Sequence, residues 1–415
     1  MKPLSVWRSE NGRHYVPLKK KAQYDVVVIG GGITGVTAAY LLKQAGKTVC
    51  LLERDVIGSV DTGNTTAHLT YVTDKRLSSL VKEFGKDSAE IAWHAGAEAI
   101  GKIEAIAQAE QIECEFQRVP GYLHAALQGK KNETAEFKKE AELARSLGFD
   151  AEFMEQVPFV DKPGIRFANQ AKFHPLKYLF ALAAKVHGGG SAIYEKSEVS
   201  SIEGKQPLLV TANGHQITTE RVIIATHVPL MGKAGIIGAM FFQAKLAPYS
   251  SYVVGAKIPK NSVPVASFWD TSNPYYYLRI DSGTRSDYAI FGGADHKTGQ
   301  EDDPRSCYRD LERELHRLIP AAKIDHHWSG QVIETADGLP FIGETAPAVR
   351  GDRIRRKQHD FQHAGWNDGR DYVLEQKNPW QHLLPPAARN CRAACFVSSP
   401  KTWTFRSTIS AIAWD

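Results

Sequence analysis

The segment YDVVVIGGGITGVTAAYLLKQAGKTVCLLER, residues 24–54, constrains this chain more than any other. Residues 26–29 are a short unbroken apolar run, the pattern of a strand buried on both faces of a parallel sheet. Gly30, Gly32 and Gly35 follow as GxGxxG, residues 36–44 read as a helix ended by Gly46, and residues 49–52 read as a second buried strand with Glu53 at its tip. Gly30 allows the tight turn, Gly32 lets the backbone approach a pyrophosphate, and Gly35 lets helix and strand pack closely. The helix N-terminus offers N–H groups and partial positive charge to that pyrophosphate. Glu53 follows Gly30 by 23 residues, where a carboxylate can accept hydrogen bonds from ribose hydroxyls. A glycine-rich turn alone says little, but strand, turn, helix, strand and acid in succession predict a dinucleotide site.

The next stretch, GSVDTGNTTAHLT, places Gly63, Thr65, Thr66 and Ala67 soon after that acid. Small and hydroxylated residues let a loop lie close to a phosphate or a flat ring. A plain NAD domain more often passes directly into another helix, and a polar surface loop would read the same way.

With these residues the chain resembles the FAD-dependent oxidoreductases of the D-amino-acid oxidase and glycine oxidase superfamily. It is most similar to the bacterial branch that often carries a C-terminal Rieske [2Fe-2S] domain. The resemblance rests on SVW at 5–7, GGGITG, TGNTTAHLT, GYLH, FHPLKYL, KLAPYSSYVVGA, WDTSNPYYYLRI, GGADHKTGQEDD and HHWSGQVIETADGLPFIG, and runs from about residue 5 to about 345. It implies an α/β fold: an FAD-binding Rossmann-like domain of the glutathione-reductase type with an inserted antiparallel-sheet substrate domain. The implied pieces are 24–115, 172–232 and 326–380 for the FAD domain, and 116–171 and 233–325 for the substrate domain. FAD would then meet Gly30, Gly32, Ile33, Thr34, Gly35, Glu53, Arg54, Gly63, Thr65, Thr66 and Ala67. The backbone of Val199 would meet the adenine, and Thr226 would lie near the flavin. The implied partners are a small-molecule substrate and an electron acceptor, either oxygen or an iron–sulfur protein.

Between these motifs, FHPLKYLFALAAKVHGGG reads as a helix with Pro175 in its first turn and a glycine stop. TANGHQITTERVIIATH reads as an Asn-Gly hairpin leading to a buried strand at 222–225. Residues 245–293 alternate like the strands of a large antiparallel sheet over the flavin, and residues 309–318 form a short amphipathic helix.

Flavin oxidation of an amine moves a hydride from a C–H bond to the cofactor, which carries the difficult chemistry. The protein must hold that carbon near the ring and place positive charge near the developing flavin anion. Lys245, Tyr277 and Arg279 are the candidates, with Tyr276 and His296 beside them. A Lys over the flavin could promote reaction with oxygen. On a strand, Tyr275, Tyr277 and Arg279 share one face, here expected to face the pocket, while Tyr276 and Leu278 share the other. His68, His174 and His296 read as structural histidines, and His326 and His327 point to opposite faces. Amino-acid oxidases of the superfamily clamp the substrate carboxylate with an Arg in a W-x-G-L-R-P pattern. Here the segment is WSGQVI, and Val332 stands in the Arg position. An amine or another small amine-like molecule is therefore expected rather than a simple amino acid.

The net charge of +5 is confined to one region: residues 350–415 hold eleven Lys/Arg against six Asp/Glu, and the remainder is balanced. A basic face for nucleic acid is thus not a property of the main body. Residues 350–369, RGDRIRRKQHDFQHAGWNDG, interrupt the resemblance where the family has a Gly-rich turn opening a flavin-facing helix. With allowed codons and a shift of one base, residues 354–369 spell a segment close to that turn, and a two-base shift makes 399–415 resemble the lead-in to a Rieske domain. Residues 350–369 and 381–415 are therefore expected to be an aberrant basic tail, either a frameshift product or a genuine solvated variant. Such a tail could impair flavin binding and leave a nucleotide-binding remnant. Five Cys without CxxC spacing argue against a thiolate metal site or a disulfide framework and suit a reduced, cytoplasmic protein. No metal is expected, and no apolar run is long enough to span a bilayer.

Overall fold

Two sheets divide the chain, and the hydrophobic pattern decides which residue goes to which. The computed structural model describes residues 4–129, 132–204, 206–226, 246–335, 341–345 and 393–397. In chain order the strands are β1 (Ala22–Ile29), β2 (Val49–Leu52), β3 (His68–Leu69), β4 (Gln117–His124), β5 (Ala151–Met154), β6 (Gly164–Lys172), β7 (Ala192–Tyr194), β8 (Val199–Glu203) and β9 (Leu208–Ala212). They continue with β10 (His215–Ile224), β11 (Leu246–Ile258), β12 (Ser267–Asp270), β13 (Tyr277–Asp281), β14 (Asp287–Lys297), β15 (Lys323–Thr335), β16 (Phe341–Thr345) and β17 (Ala393–Val397). The helices are α1 (Ile33–Gln44), α2 (Leu77–Phe84), α3 (Lys86–Ala109), α4 (Thr134–Ser146), α5 (Pro175–Val186) and α6 (Pro304–Leu318).

The first sheet has eight strands in the order β16-β17-β10-β1-β2-β7, with β9 and β8 continuing from β10. Its centre, β10-β1-β2-β7, is parallel. Along β1, Val26 and Val28 join one core cluster while Val27 joins another, so both faces are covered and a continuous apolar run is required. One cover is the α1 and α5 layer, and the other is the β8–β10 meander. The Asn213–Gly214 turn of that meander has both residues at positive φ, as a two-residue hairpin needs, and β10 begins there rather than at residue 222.

The second sheet has nine strands in the order β15-β11-β14-β13-β12-β4-β6-β3, with β5 on β6. All pairs are antiparallel except β12 with β4. Period-2 alternation splits its residues cleanly. Val254, Phe268, Leu278 and Phe291 pack with Leu311 and Leu315 of α6. Leu123, Val253, Ile290 and Trp328 face the core shared with the first sheet. Burying each α6 leucine contributes about 1.5–3 kcal/mol. This helix starts five residues before the sequence period does, because Asp303 accepts from Arg305 N at 3.1 Å and Pro304 occupies its first turn.

Lys245 and the basic run 350–369 lie outside the described residues, as does the 381–415 segment apart from β17. That strand pairs parallel with β10 and antiparallel with β16.

Candidate active site

β1 delivers the chain to a turn built from backbone contacts. Gly30 has φ +112°, and its N–H donates to Leu52 O at 2.8 Å, tying the turn to β2. A methyl group on Gly35 would lie 2.0 Å from Gly30 O, so helix and turn close only around glycine. α1 begins with Gly32 as N-cap, and Ile33, Thr34 and Gly35 are buried within its first turn. The outer side of Gly32 is open, since an added Cβ would meet only Thr62 Oγ1 at 3.4 Å.

Glu53 sits at the tip of β2 and accepts from Gly31 N at 2.6 Å and from Asp55 N at 2.7 Å. Arg54 is exposed. The backbone of Glu53 is bonded to Tyr194 and Ser197, and Val199 opens β8 two residues further on. The helix-end amides are not all free: Ile33 N donates to Thr62 Oγ1 at 3.1 Å. Thr226 follows β10 beside Gly30, and its hydroxyl is buried without a hydrogen-bond partner. A compact glycine turn, open space outside Gly32 and a buried hydroxyl awaiting a partner together fit an FAD at this place.

The loop at 63–67 is gripped along its carbonyl edge. Ser5 Oγ donates to Gly63 O, Trp328 Nε1 to Asn64 O at 2.8 Å, and Trp7 Nε1 to Thr65 O at 2.5 Å. Arg279 Nη1 donates to Thr66 O at 3.0 Å, to Ala67 O at 2.8 Å and to Phe173 O at 3.0 Å. Five consecutive carbonyls are thus held by side chains remote in sequence, and Ala67 is kept at φ +56°.

This corrects the expectation that Arg279 faces the pocket. It is only 1% exposed, its Nε donates to Asp281 Oδ1 at 3.0 Å, and its guanidinium lies over the Trp7 ring. Asp281 also pairs with buried Lys172 at 2.6 Å. Burial would raise the Asp281 carboxyl, but Arg279 and Lys172 outweigh it and hold the group below the usual carboxylate range. The buried ensemble joins the sheet to the loop.

Tyr277, on the same face of β13, does reach a cavity of about 340 Å³. Its ring lies flat over Gly292, where an added Cβ would be 2.3 Å from the ring, and its hydroxyl is 3.1 Å from Ser251 Oγ. Burial, with Asp295 nearby, raises its phenol pKa. Tyr275 also lines the cavity, whereas Tyr276 stacks on Phe291 on the α6 side. His296 is bonded to Tyr252 and His174 caps α5, both structural roles.

Sequence reasoning passed over two residues of this cavity. His68 was read as structural, yet it lines the wall edge-on to Tyr277, with Nδ1 3.0 Å from Thr66 Oγ1 and a buried Nε2 without a hydrogen bond. Its pKa is pushed down to about 3, first by burial and then by the charge of Arg279, so the ring is neutral. Ser267, opposite Arg279 in the β12–β13 ladder, lines the same cavity with a buried, unpartnered hydroxyl. Nothing in a single serine or histidine codon position marks such a residue; only the ladder register brings them together.

The family model of FAD dependent oxidoreductases, DAO, matches residues 25–367. The chain belongs to the DAO family. It is 31% identical over 396 residues to YhfW of Bacillus subtilis strain 168, whose name describes a Rieske 2Fe-2S iron-sulfur protein; the match covers 93% of this chain and 75% of that protein. It is 24% identical to gamma-glutamylputrescine oxidoreductase of Escherichia coli K12, covering 82% and 81%. Among solved structures it is similar in fold to glycine oxidase from Geobacillus kaustophilus, with TM-score 0.68, 15% identity and coverage of 94% and 93%. L-proline dehydrogenase from P. horikoshii gives TM-score 0.65 at 18% identity, covering 95% and 91%. The protein is therefore an FAD-dependent oxidoreductase with the α/β fold expected of it. Among the described residues there is no cluster of three metal-ligating side chains, and no helix is long and apolar enough to cross a membrane.

Proposed function

We propose that this enzyme oxidises a small amine rather than an α-amino acid. The charge on the cavity wall carries this reading. Among the described residues lining the cavity the sole cation is Arg76, and it is paired with Glu133 at 2.9 Å. Arg279 is fully engaged behind the wall, and Val332 is a buried apolar residue of β15. Among the described residues a substrate carboxylate would find no free cation there and would carry the cost of burying an unpaired charge.

Bound FAD would supply the hydride acceptor. The turn at Gly30, Gly32, Ile33, Thr34 and Gly35 would hold its pyrophosphate, with Glu53 and Arg54 near the ribose. Gly63, Thr65, Thr66, Ala67 and Thr226 would lie near the flavin, and the Val199 backbone near the adenine. Tyr277 closes one side of the cavity against water. The name of the Escherichia coli relative, with its amine-containing substrate, supports this substrate class.

A second reading, electron transfer to an iron–sulfur partner instead of oxygen, is favoured by the name of the Bacillus subtilis relative. The free cysteines Cys50, Cys114 and Cys307 support a cytoplasmic location.

The absorbance spectrum of the purified protein tests both readings. Flavin bands that bleach with an amine and recover in air indicate an oxidase. Recovery only with an artificial acceptor indicates a dehydrogenase. Bands that bleach with α-amino acids but with no amine would overturn the proposal.

A further inference from the structure

We infer that the substrate carries a second cationic group besides the amine that is oxidised, with the reacting nitrogen placed between His68 and Ser267 and the second charge placed beside Glu140. The inference rests on the amine reading above and narrows it.

Two independent observations lead to it. The first is the pair of buried, unpartnered polar atoms, His68 Nε2 and Ser267 Oγ, both on residues that line the cavity. Their residues are 6% and 2% exposed. Buried polar groups normally have partners, so two orphans on one cavity point to a ligand able to hydrogen-bond. The Leu278 backbone approaches the His68 ring without closing a hydrogen bond to Nε2. The neutral imidazole can exchange hydrogen bonds with an amine without adding positive charge where an amine must bind.

The second observation is an acidic excess on the same wall. Glu133, Glu140 and Asp270 line the cavity, each 4% exposed. Glu133 is balanced by Arg76, but neither Glu140 nor Asp270 has an ion-pair partner among the described residues. Glu140 accepts from Ser78 N at the start of α2. Asp270 accepts from Leu127 N, Ser272 N, Ser272 Oγ and Tyr276 N, two donors on each oxygen, so its charge is spent on the 270–276 turn and Glu140 is the carboxylate left to meet a ligand. With Arg76 taken by Glu133, the buried carboxylate of Glu140 favours a ligand that brings a cation. Trp93, Trp269 and Phe167 line the same cavity and suit the methylene chain between the two nitrogens.

The test is a probe series of equal length: n-butylamine, 1,4-diaminobutane and 4-aminobutyrate. Calorimetric titration of the FAD-loaded protein, with its flavin photoreduced under nitrogen, measures binding without turnover. The diamine should bind at least tenfold tighter than n-butylamine, and 4-aminobutyrate weakest. Glu140→Gln keeps an acceptor for Ser78 N and should shrink the diamine preference to less than threefold. Ser267→Ala should weaken the diamine and the monoamine alike, by about threefold to tenfold. Equal binding of the three probes by the wild-type protein, no binding of any, or a preference for 4-aminobutyrate overturns the inference, whatever the fate of the variants. If the diamine binds tightest but never bleaches the oxidised flavin, the acidic subsite stands and the oxidation reading falls instead.

Discussion

The turn at residues 30–35 and the loop at residues 63–67 are joined through Thr62, which accepts from Ile33 N at the start of α1, yet different means dominate in holding them. The turn closes on backbone contacts, Gly30 N to Leu52 O and a Gly35 contact that leaves no room for a side chain, with Glu53 and Thr62 accepting from the amides of Gly31 and Ile33. The loop is held from outside, by Ser5, Trp7, Arg279 and Trp328 on its carbonyls. A locally determined element can be recognised from a few adjacent residues. An element fixed by remote side chains depends on the whole fold being assembled, and it should yield first when that assembly is disturbed.

The sharpest way to break the contrast is Arg279→Met. It strands three carbonyls and removes one of the two cations beside Asp281. We expect a loss of about 3–5 kcal/mol in urea denaturation. Weakened FAD retention should accompany it even at temperatures where the variant stays folded. Unchanged stability would mean that the loop is self-supporting.

Gly35→Ala attacks the other region. The added methyl overlaps Gly30 O and should cost about 1–3 kcal/mol, with FAD affinity falling at least tenfold by fluorescence titration. Retained FAD would show that the turn is not the nucleotide cradle.

Acid should loosen the loop before the turn. Asp281 has a depressed folded pKa, so its contribution is complete above the unfolded value of about 3.9 and is lost as pH falls through the lower folded value. Urea midpoints of the wild-type protein should therefore drop below about pH 4 more steeply than those of Asp281→Asn. Parallel curves would remove Asp281 from the account.

The smallest effects belong to single grips on the loop. Trp7→Phe and Trp328→Phe should each cost about 1 kcal/mol and Ser5→Ala about 0.5 kcal/mol, with no change at the turn, as read by hydrogen exchange at Gly30 and Gly35.

The same contrast explains what could be read in advance. Gly30, Gly32, Gly35 and Glu53 carry their geometry in their spacing, because strand, turn and helix periods are local. Alternation along residues 275–278 correctly separated Tyr275 and Tyr277 from Tyr276 and Leu278. It could not say that Arg279 on the same face is capped by Thr66, Ala67 and Phe173 before any cavity is reached. His68 and Ser267 come from β3 and β12, which share a sheet but are not neighbours, and Glu133 and Glu140 come from the start and body of α4. Pairing of distant strands assembled that wall, and no spacing in the chain encodes it. SVW at 5–7 was recognisable only by resemblance; its physical reason is the hold of Ser5 and Trp7 on Gly63 and Thr65.

β17 has a consequence for handling the protein. It lies between β10 and β16, with Val222, Ile223 and Ile224 paired to Ala393, Ala394 and Cys395 on one side and Phe341–Thr345 on the other. Trimming the compositionally odd C-terminus ahead of residue 393 would uncover amide and carbonyl groups along β10 and leave β16 detached. Bare edges of that kind recruit strands from other molecules, so a shortened chain should self-associate and sediment as aggregates.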